Sequence, residues 1–265
     1  MPPGRKQEET SMNVLCVGDV VGLSGLDEVC SRLPALRREY KADVCIVNGE
    51  NSDVCGRGIT RSGAAALFDA GADVVTTGNH CFFRTRPDTF EETEMLLCPA
   101  NFPYTSARMG SCVVDLGRAR MQVINLSGVA FMEPLDNPFV RFDELYDSSC
   151  RFCVVDLHAE STAEKRAFAC YVDGRASAVF GTHTHVPTAD GQVLPGGTGY
   201  ITDVGMCGPL QSVIGVVPAQ AIEKQRCHTP VRFSVAEGAC GLNAVLFTLN
   251  DADGRCTAVR QILLP

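Results

Sequence analysis

Residues 181–190 read GTHTHVPTAD and contain two of the five histidines of this chain, His183 and His185, separated by one threonine. The stretch follows the apolar run 176–180, which is typical of a buried strand. In an extended chain, residues i and i+2 point to the same side, so both imidazoles are expected to face one point beyond the strand end. Two neutral imidazoles placed together are good metal ligands, and the stretch therefore predicts metal binding.

Other apolar runs along the chain also end in polar residues. Strands are predicted at 13–17, 44–47, 73–76 and 152–157, and they lead into GDVVG, NGENS, TGNH and HAE. Helices are predicted between them at 26–40, interrupted by Pro34, and at 61–70 and 163–171. This alternation predicts an α/β domain, in which ligands bind beyond the carboxyl ends of the strands. The polar residues at these ends are Asp19, Glu50, Asn51, Asn79, His80, His158, His183 and His185.

The remaining segments fit the same single domain. Residues 111–116 and 120–126 predict a hairpin that turns at Gly117, and further strands are predicted at 200–204, 244–249 and 257–263. His228 follows no apolar run and is expected at the surface. Because no linker or repeat interrupts the chain, we expect a polar extension over residues 1–11 and one domain over residues 12–265.

Composition limits the classes of partner. The formal net charge is −8, which argues against an extended surface for the nucleic-acid backbone. A small phosphorylated substrate remains compatible, because a bound metal reverses the local charge of an acidic site. No run approaches the ~18 apolar residues of a membrane span, and the opening residues lack the apolar segment of a secretory signal. We therefore expect no membrane partner and a cytoplasmic location.

The chain has 14 cysteines, and we interpret those within strand-like runs as buried free thiols that pack as small apolar groups. These are Cys16, Cys45, Cys112 and Cys153. Cys150 and Cys153 form a CxxC pair without a second pair at zinc-ribbon spacing, so a structural metal or redox role is the less favoured interpretation.

Carboxylate, asparagine and imidazole groups at the strand ends make a mixed oxygen and nitrogen ligand set. Such a set suits iron or manganese, with zinc or magnesium also open, and the lack of thiolates argues against a structural zinc site. These candidate ligands are more than one ion needs. They indicate two ions that share a carboxylate, an arrangement suited to displacement at phosphorus.

Taken in their order along the chain, the motifs at the strand ends resemble those of the calcineurin-like metallophosphoesterases. Within that superfamily they resemble the YmdB-like phosphodiesterases. The resembling blocks are GDVVG (18–22), VNGENS (47–52), TTGNH (76–80), ANFP (100–103), DLHAESTAEK (156–165), GTHTHVPTAD (181–190) and YITDVGMCGP (200–209). They cover nearly all of the chain. The resemblance implies an αββα sandwich of two mixed sheets flanked by helices, and hydrolysis of 2′,3′-cyclic nucleotides to nucleoside 3′-phosphates.

The resemblance also implies a role for each site residue. One ion would be held by Asp19, Glu50, Asn51 and His185, and the other by Glu50, Asn79, His158 and His183. His80 would be the catalytic histidine. The broader superfamily has a histidine at the position of Val21, and Asn51 is expected to compensate for its absence.

Several points stay open at this stage. Asp156 and Glu160 are expected to orient imidazoles of the site, although Glu160 is also a candidate helix cap. Pro187 and residues 81–83 depart from the YmdB-like pattern near the pocket. The same site also suits phosphomonoesters, linear diesters or 3′,5′-cyclic nucleotides, and a regulatory nucleotide-binding protein is a further alternative. The native metal, the preferred base, the pathway and the number of subunits, including a homo-oligomer, are not determined.

Overall fold

The computed structural model describes residues 11–103 and 107–265, with only the backbone described for Ala107 and Arg108. Residues 1–10 of the predicted polar extension lie outside the described residues. Ser11, its last residue, already belongs to the first strand.

Two mixed β-sheets form the centre of the fold. The first has, in spatial order, β2 (Asp19–Val20), β11 (Met206–Pro209), β12 (Cys240–Asn250), β1 (Ser11–Val17), β3 (Val44–Asn48) and β4 (Val74–Thr76), with β13 (Cys256–Leu264) also paired to β12. The second has β5 (Ser111–Asp115), β6 (Arg120–Ser127), β7 (Phe152–His158), β8 (Ala178–Thr182), β10 (Gly199–Ile201) and β9 (Gln192–Val193). In the second sheet β6, β7, β8 and β10 run parallel, so their carboxyl ends lie at one edge.

Seven helices are described outside or between these strands. They are α1 (Gly22–Glu39), α2 (Arg61–Asp69), α3 (Pro87–Glu92), α4 (Ala107–Gly110), α5 (Pro138–Leu145), α6 (Thr162–Val172) and α7 (Pro218–Cys227). Side chains cap several of them: the Thr60 hydroxyl accepts from the Gly63 N–H at 3.0 Å before α2, and Asn137 accepts from the Phe139 N–H before α5. Such caps satisfy amide groups that have no partner within the helix. No helix among the described residues is both long and apolar enough to cross a membrane.

Alternation along the strands builds the layers, because successive side chains point to opposite faces of a sheet. Val14 and Cys16 of β1 pack in the cluster between the two sheets, together with Phe152 of β7. Their neighbours Leu15 and Val17 pack in the cluster that contains the buried face of α1.

The second sheet is covered in the same way on its other side. Val155 of β7 and Val179 of β8 share a cluster with Phe168 of α6 and Phe142 of α5. Helices therefore cover the outer faces of both sheets, and the expected αββα sandwich is confirmed.

Most predicted elements are confirmed, including the hairpin of β5 and β6 with Gly117 at a φ of 72° in its turn. The start of α1 was predicted too late, at residue 26 rather than Gly22. Gly22 and Gly25 are weak helix formers, but Gly25 is needed here, because a Cβ at this position would lie 2.4 Å from the Cys207 carbonyl oxygen. His228 is exposed at the end of α7, as expected.

Candidate active site

The eight polar residues singled out in the sequence all lie at one end of the sandwich, and both sheets contribute. Asp19 belongs to β2, Glu50 and Asn51 follow β3, and Asn79 and His80 follow β4. His158 ends β7, while His183 and His185 follow β8. Since these residues come from different sheets, their meeting depends on how the two sheets pack.

One group of donor atoms surrounds His158 Nε2. The Asn79 Oδ1 atom lies 3.0 Å from it, the His183 Nδ1 atom 3.1 Å and the Glu50 Oε1 atom 3.6 Å. Gly78 makes this approach feasible, because a Cβ at that position would lie 2.3 Å from the His158 ring. These are the four residues that the resemblance placed on one ion.

The opposite nitrogen of His158 is held by a hydrogen-bond chain. Its Nδ1 lies 3.0 Å from the Thr182 hydroxyl, which donates to Asp156 Oδ1 at 2.8 Å. A hydroxyl has one hydrogen, so Thr182 accepts from His158, and the Nδ1 atom carries the proton. Asp156 thus reaches the imidazole through Thr182, and the Nε2 lone pair faces the site.

His183 is held in the same manner by Glu160. The Glu160 Oε2 atom lies 3.0 Å from His183 Nε2, so this nitrogen donates and Nδ1 presents its lone pair toward His158. Outer partners that fix the tautomer of an imidazole are typical of metal-ligating histidines.

The second group lies around His185 Nε2. The Asp19 Oδ1 atom is 3.9 Å from it, and the Asn51 Nδ2 atom is 3.2 Å from it. His185 Nδ1 donates to the Ile214 carbonyl oxygen at 2.9 Å. In this side-chain orientation Asn51 presents its amide nitrogen to His185, so coordination through the oxygen requires the amide to turn over.

Burial controls the charge of these groups. It lowers the pKa of His158 well below its usual range and also lowers the pKa of His183 and His185, so the imidazoles are neutral. Burial raises the pKa of Glu50, and it raises that of Asp19 well above its usual range, with Asp203 as a second cause. A cation between these groups would offset the burial of both carboxylates.

The arrangement fits a metal cation on three observations. Two imidazole lone pairs and two oxygen atoms converge without a hydrogen between them. The Glu50 Oε2 atom is buried and has no hydrogen-bond partner among the described residues, and the donor set is chemically suitable. Two ligands at right angles, each about 2.1 Å from an ion, are roughly 3.0 Å apart, which is close to the spacings around His158.

One observation points the other way. In the described part of the chain, no group of three or more His, Cys, Asp and Glu side chains is placed, as it stands, to hold a metal ion. Such a group does not include asparagine, and the Asn79 Oδ1 atom lies 3.0 Å from His158 Nε2, at the spacing of two ligands on one ion.

His80 lies beside the donor cluster and faces outward. Its Nδ1 atom is 2.9 Å from both Asn51 Oδ1 and Glu50 Oε1, and its backbone N–H donates to the same Glu50 oxygen. The side chain is 32% exposed, whereas His158 is fully buried. His80 is therefore the imidazole of the site that is most open to an entering molecule.

The expected extended conformation of GTHTH is wrong. β8 ends at Thr182, and His183 and His185 have φ angles of 96° and 66°. The left-handed backbone at both histidines brings the imidazoles together, in place of strand alternation. Thr184 is held by Asp203, because its N–H and hydroxyl both donate to Asp203 Oδ2, at 3.1 and 2.7 Å.

Sequence reasoning missed the ion pair that supports this turn. Lys165 of α6 is buried, and its Nζ donates to Asp203 Oδ2 at 2.8 Å. Both residues belong to blocks that were quoted for the resemblance, DLHAESTAEK and YITDVGMCGP. A lysine on the buried face of a predicted helix was the signal available.

Two features that were left open at the sequence level lie outside the cavity. A Cβ at Gly205 would meet the Pro187 ring, so Pro187 covers the backbone at Gly205. Phe82 packs edge-to-face with Phe90 and Phe102, while Phe83 lies 6.4 Å, between ring centroids, from His80. Neither Pro187 nor residues 81–83 line the cavity beside His80.

The cysteines expected to be buried free thiols, Cys16, Cys45, Cys112 and Cys153, are buried and free. Cys150 is also buried and free, so the CxxC pair forms no disulfide. Burial raises the pKa of Cys150, which disfavours the thiolate needed for metal or redox chemistry.

The two-sheet fold, with its donor cluster at the strand ends, defines a metallophosphoesterase-type protein. The family model described as YmdB-like protein matches residues 15–262, and the chain belongs to this family. The resemblance seen in the motifs is thereby confirmed.

Relatives and solved structures agree with this membership. The chain is 41% identical over 257 residues to the 2′,3′-cyclic-nucleotide 2′-phosphodiesterase of Bacillus subtilis (strain 168), covering 96% of this chain and 97% of the relative. A crystal structure of a hypothetical protein from Thermus thermophilus has a TM-score of 0.88 at 37% identity, covering 96% of this chain and all of that one. A crystal structure of a novel phosphatase from Mycoplasma pneumoniae has a TM-score of 0.89 at 34% identity, covering 97% and 94%.

Proposed function

We propose that this protein hydrolyses 2′,3′-cyclic nucleotides to nucleoside 3′-phosphates with the help of two divalent metal ions. The observation that carries the proposal is the convergence of imidazole lone pairs and carboxylate oxygens directly beside the exposed His80. The name of the Bacillus subtilis relative, which is similar over nearly the whole chain, supports the choice of substrate.

Two sets of residues would hold the ions. Asp19, Glu50, Asn51 and His185 would hold one, and Glu50, Asn79, His158 and His183 would hold the other. Iron or manganese suits this mixed donor set, and zinc or magnesium is also acceptable to it. When bound, the ions supply Lewis acidity, which activates a water molecule and neutralises phosphate oxygens.

His80 supplies the proton for the leaving group. Its Nδ1 is held by Glu50 and Asn51, and no partner of its Nε2 is found among the described residues, although the ring lines the cavity. The water oxygen forms a bond to phosphorus, the bond from phosphorus to the 2′-oxygen breaks, and His80 protonates that oxygen. General acid catalysis of this kind contributes about 10²–10⁴-fold.

The remaining residues position the ligands. Thr182 with Asp156 fixes the ring of His158, and Glu160 fixes the ring of His183. Asp203 holds the turn between the two histidines of GTHTH. Thr182 and Glu160 contact the ring nitrogens that face away from the site, so the other nitrogen of each ring is available as a ligand.

A substrate panel tests the proposal. The purified protein is incubated with Mn²⁺ or Fe²⁺ and with 2′,3′-cyclic, 3′,5′-cyclic, linear diester and monoester substrates, and bound metal is measured by mass spectrometry. We expect fastest turnover of 2′,3′-cyclic nucleotides, a 3′-phosphate product and close to two ions per chain. A 2′-phosphate product, or turnover of only another substrate class, would refute the substrate, and a single ion would refute the two-ion site.

A further inference from the structure

The cavity beside the donor cluster has two chemically different sides. Its volume is about 340 Å³, within the range of pockets for small ligands. The polar lining includes His80, His183, His185, Asn51, Arg57, Glu160, Thr184 and Ser234. The apolar lining, here named the apolar wall, consists of Val21, Ile214, Val216, Phe233 and Val235.

Backbone hydrogen bonds hold the apolar wall in shape. Val213 and Val216 exchange two hydrogen bonds at 2.9 and 3.0 Å, and the Ala236 N–H donates to the Gly215 carbonyl at 2.9 Å. Val216 also pairs with Val235 in an isolated antiparallel bridge. Two of the three segments that form the wall, 213–216 and 233–236, are therefore fastened to each other by hydrogen bonds.

Ile214 connects the wall to the donor cluster. It has a φ of 47°, a conformation that is strained for a β-branched residue. In this conformation its carbonyl accepts from His185 Nδ1 at 2.9 Å, while 51% of the residue stays exposed. Strain of this kind is stored mainly at functional sites, and here it fixes the wall at a defined position relative to an imidazole of the site.

Part of the apolar wall is exposed and is not packed in the core. Phe233 is 36% exposed, and its ring forms no aromatic or cation–π contact with another described residue. The five wall side chains carry no charge and no hydrogen-bonding group. The wall therefore offers an apolar surface, and the polar side chains of Arg57 and Ser234 line the same cavity.

We infer that the apolar wall binds the nucleobase of the substrate, with Phe233 as its stacking surface. This inference rests on the proposed phosphodiesterase function, because it places the cyclic phosphate at the donor cluster and the base at the apolar wall. Stacking on an aromatic side chain tolerates any base, since every base has a π-face. Purines expose a larger face than pyrimidines, so their KM values are lower, while kcat varies little.

The test compares two substrates that share the reacting group. Adenosine 2′,3′-cyclic phosphate carries a base, and methyl riboside 2′,3′-cyclic phosphate does not. For the wild-type protein we expect a KM about ten-fold or more lower for the nucleotide, within the range found for base stacking. Phe233→Ala removes most of this advantage and leaves the KM of the methyl riboside unchanged.

Two further variants sharpen the comparison. Ile214→Gly keeps the positive φ, which glycine adopts without strain, and removes another side chain of the wall, so it gives the same selective rise in KM. Phe131→Ala is the matched control, because Phe131 is 91% exposed and does not line the cavity. It leaves both KM values unchanged.

The inference is overturned if the wild-type protein treats the two substrates alike, or if Phe233→Ala raises both KM values equally. Failure of the proposed function gives a different pattern, in which neither cyclic phosphate is hydrolysed. Calorimetry with adenosine 3′-monophosphate then still decides the inference: Phe233→Ala weakens binding if the wall receives the base, and equal affinity for both proteins overturns it.

Discussion

Replacing Lys165 by methionine should destabilise the fold strongly. Its Nζ donates to Asp203 Oδ2 at 2.8 Å, and both side chains are buried. Methionine retains the apolar stem but leaves the Asp203 carboxylate without its counter-charge. Breaking a buried pair in this way costs about 3–5 kcal/mol, which lowers the melting temperature of a domain of roughly this size by about 6–20 °C.

The thermodynamic test is urea unfolding followed by circular dichroism, with excess chelator so that bound ions do not contribute. Lys165→Met combined with Asp203→Asn removes both charges, so this double variant should be more stable than Lys165→Met alone. Lys224→Met serves as the control, because Lys224 lies near the end of α7 and forms no ion pair with another described residue. The free energy of unfolding of the Lys224→Met protein should differ from that of the wild type by less than about 0.5 kcal/mol.

Two results would refute this reasoning. One is a Lys165→Met protein whose free energy of unfolding lies within about 1 kcal/mol of the wild type, well below the range for a broken buried pair. The other is a double variant that is less stable than Lys165→Met, since that would mean the Asp203 carboxylate is satisfied by Thr184 and Gly205 without the lysine.

Three further predictions concern the site directly. His80→Ala should lose about 10²–10⁴-fold in turnover while mass spectrometry finds unchanged metal content, and retained activity would exclude the proton-donor role. Glu50→Gln should lower the occupancy of both ions together, whereas loss of one ion would contradict a bridging carboxylate. Thr182→Val removes the acceptor for His158 Nδ1, so metal affinity measured by titration should fall about 10–100-fold. Thr182→Ser is the control, because it retains the hydroxyl. Unchanged affinity in the valine variant would show that the hydroxyl is dispensable.

The strand ends were predictable because each signal is local. VLCV before Asp19, VCIV before Glu50 and FCVV before His158 are short apolar runs, and a polar residue after such a run marks where the chain leaves the core. Within one sheet the grouping of these ends also followed, since carboxyl ends of parallel strands meet at one edge. The meeting of residues from the two sheets depends on how the sheets pack.

The conformation of GTHTH could not be predicted from local alternation. His183 and His185 adopt positive φ angles because contacts distant in sequence hold the turn. Asp203 binds Thr184, and the Asp19 carboxylate accepts from the His183 N–H at 3.1 Å. These contacts are 19 and 164 residues apart in sequence, beyond the reach of a periodicity argument.

The short strands were missed for a similar reason. β2 has two residues and β11 has four, and they pair in parallel beside Asp19. Runs this short carry no periodic signal. Their existence depends on the sheet edge offered by β12, which lies well beyond β11 along the chain.

The donor atoms are divided between the two sheets, so metal binding is coupled to the packing of one sheet on the other. Glu50 and Asn79 come from the first sheet, and His158 and His183 come from the second. An ion held by all four would link the two sheets. It would bind the folded protein, in which the sheets are packed together, far better than an unfolded chain in which they are apart. The free energy of unfolding would then rise with free metal concentration by mass action. The melting temperature would accordingly be higher with added Mn²⁺ than with chelator, because the ion links the sheets only in the first case.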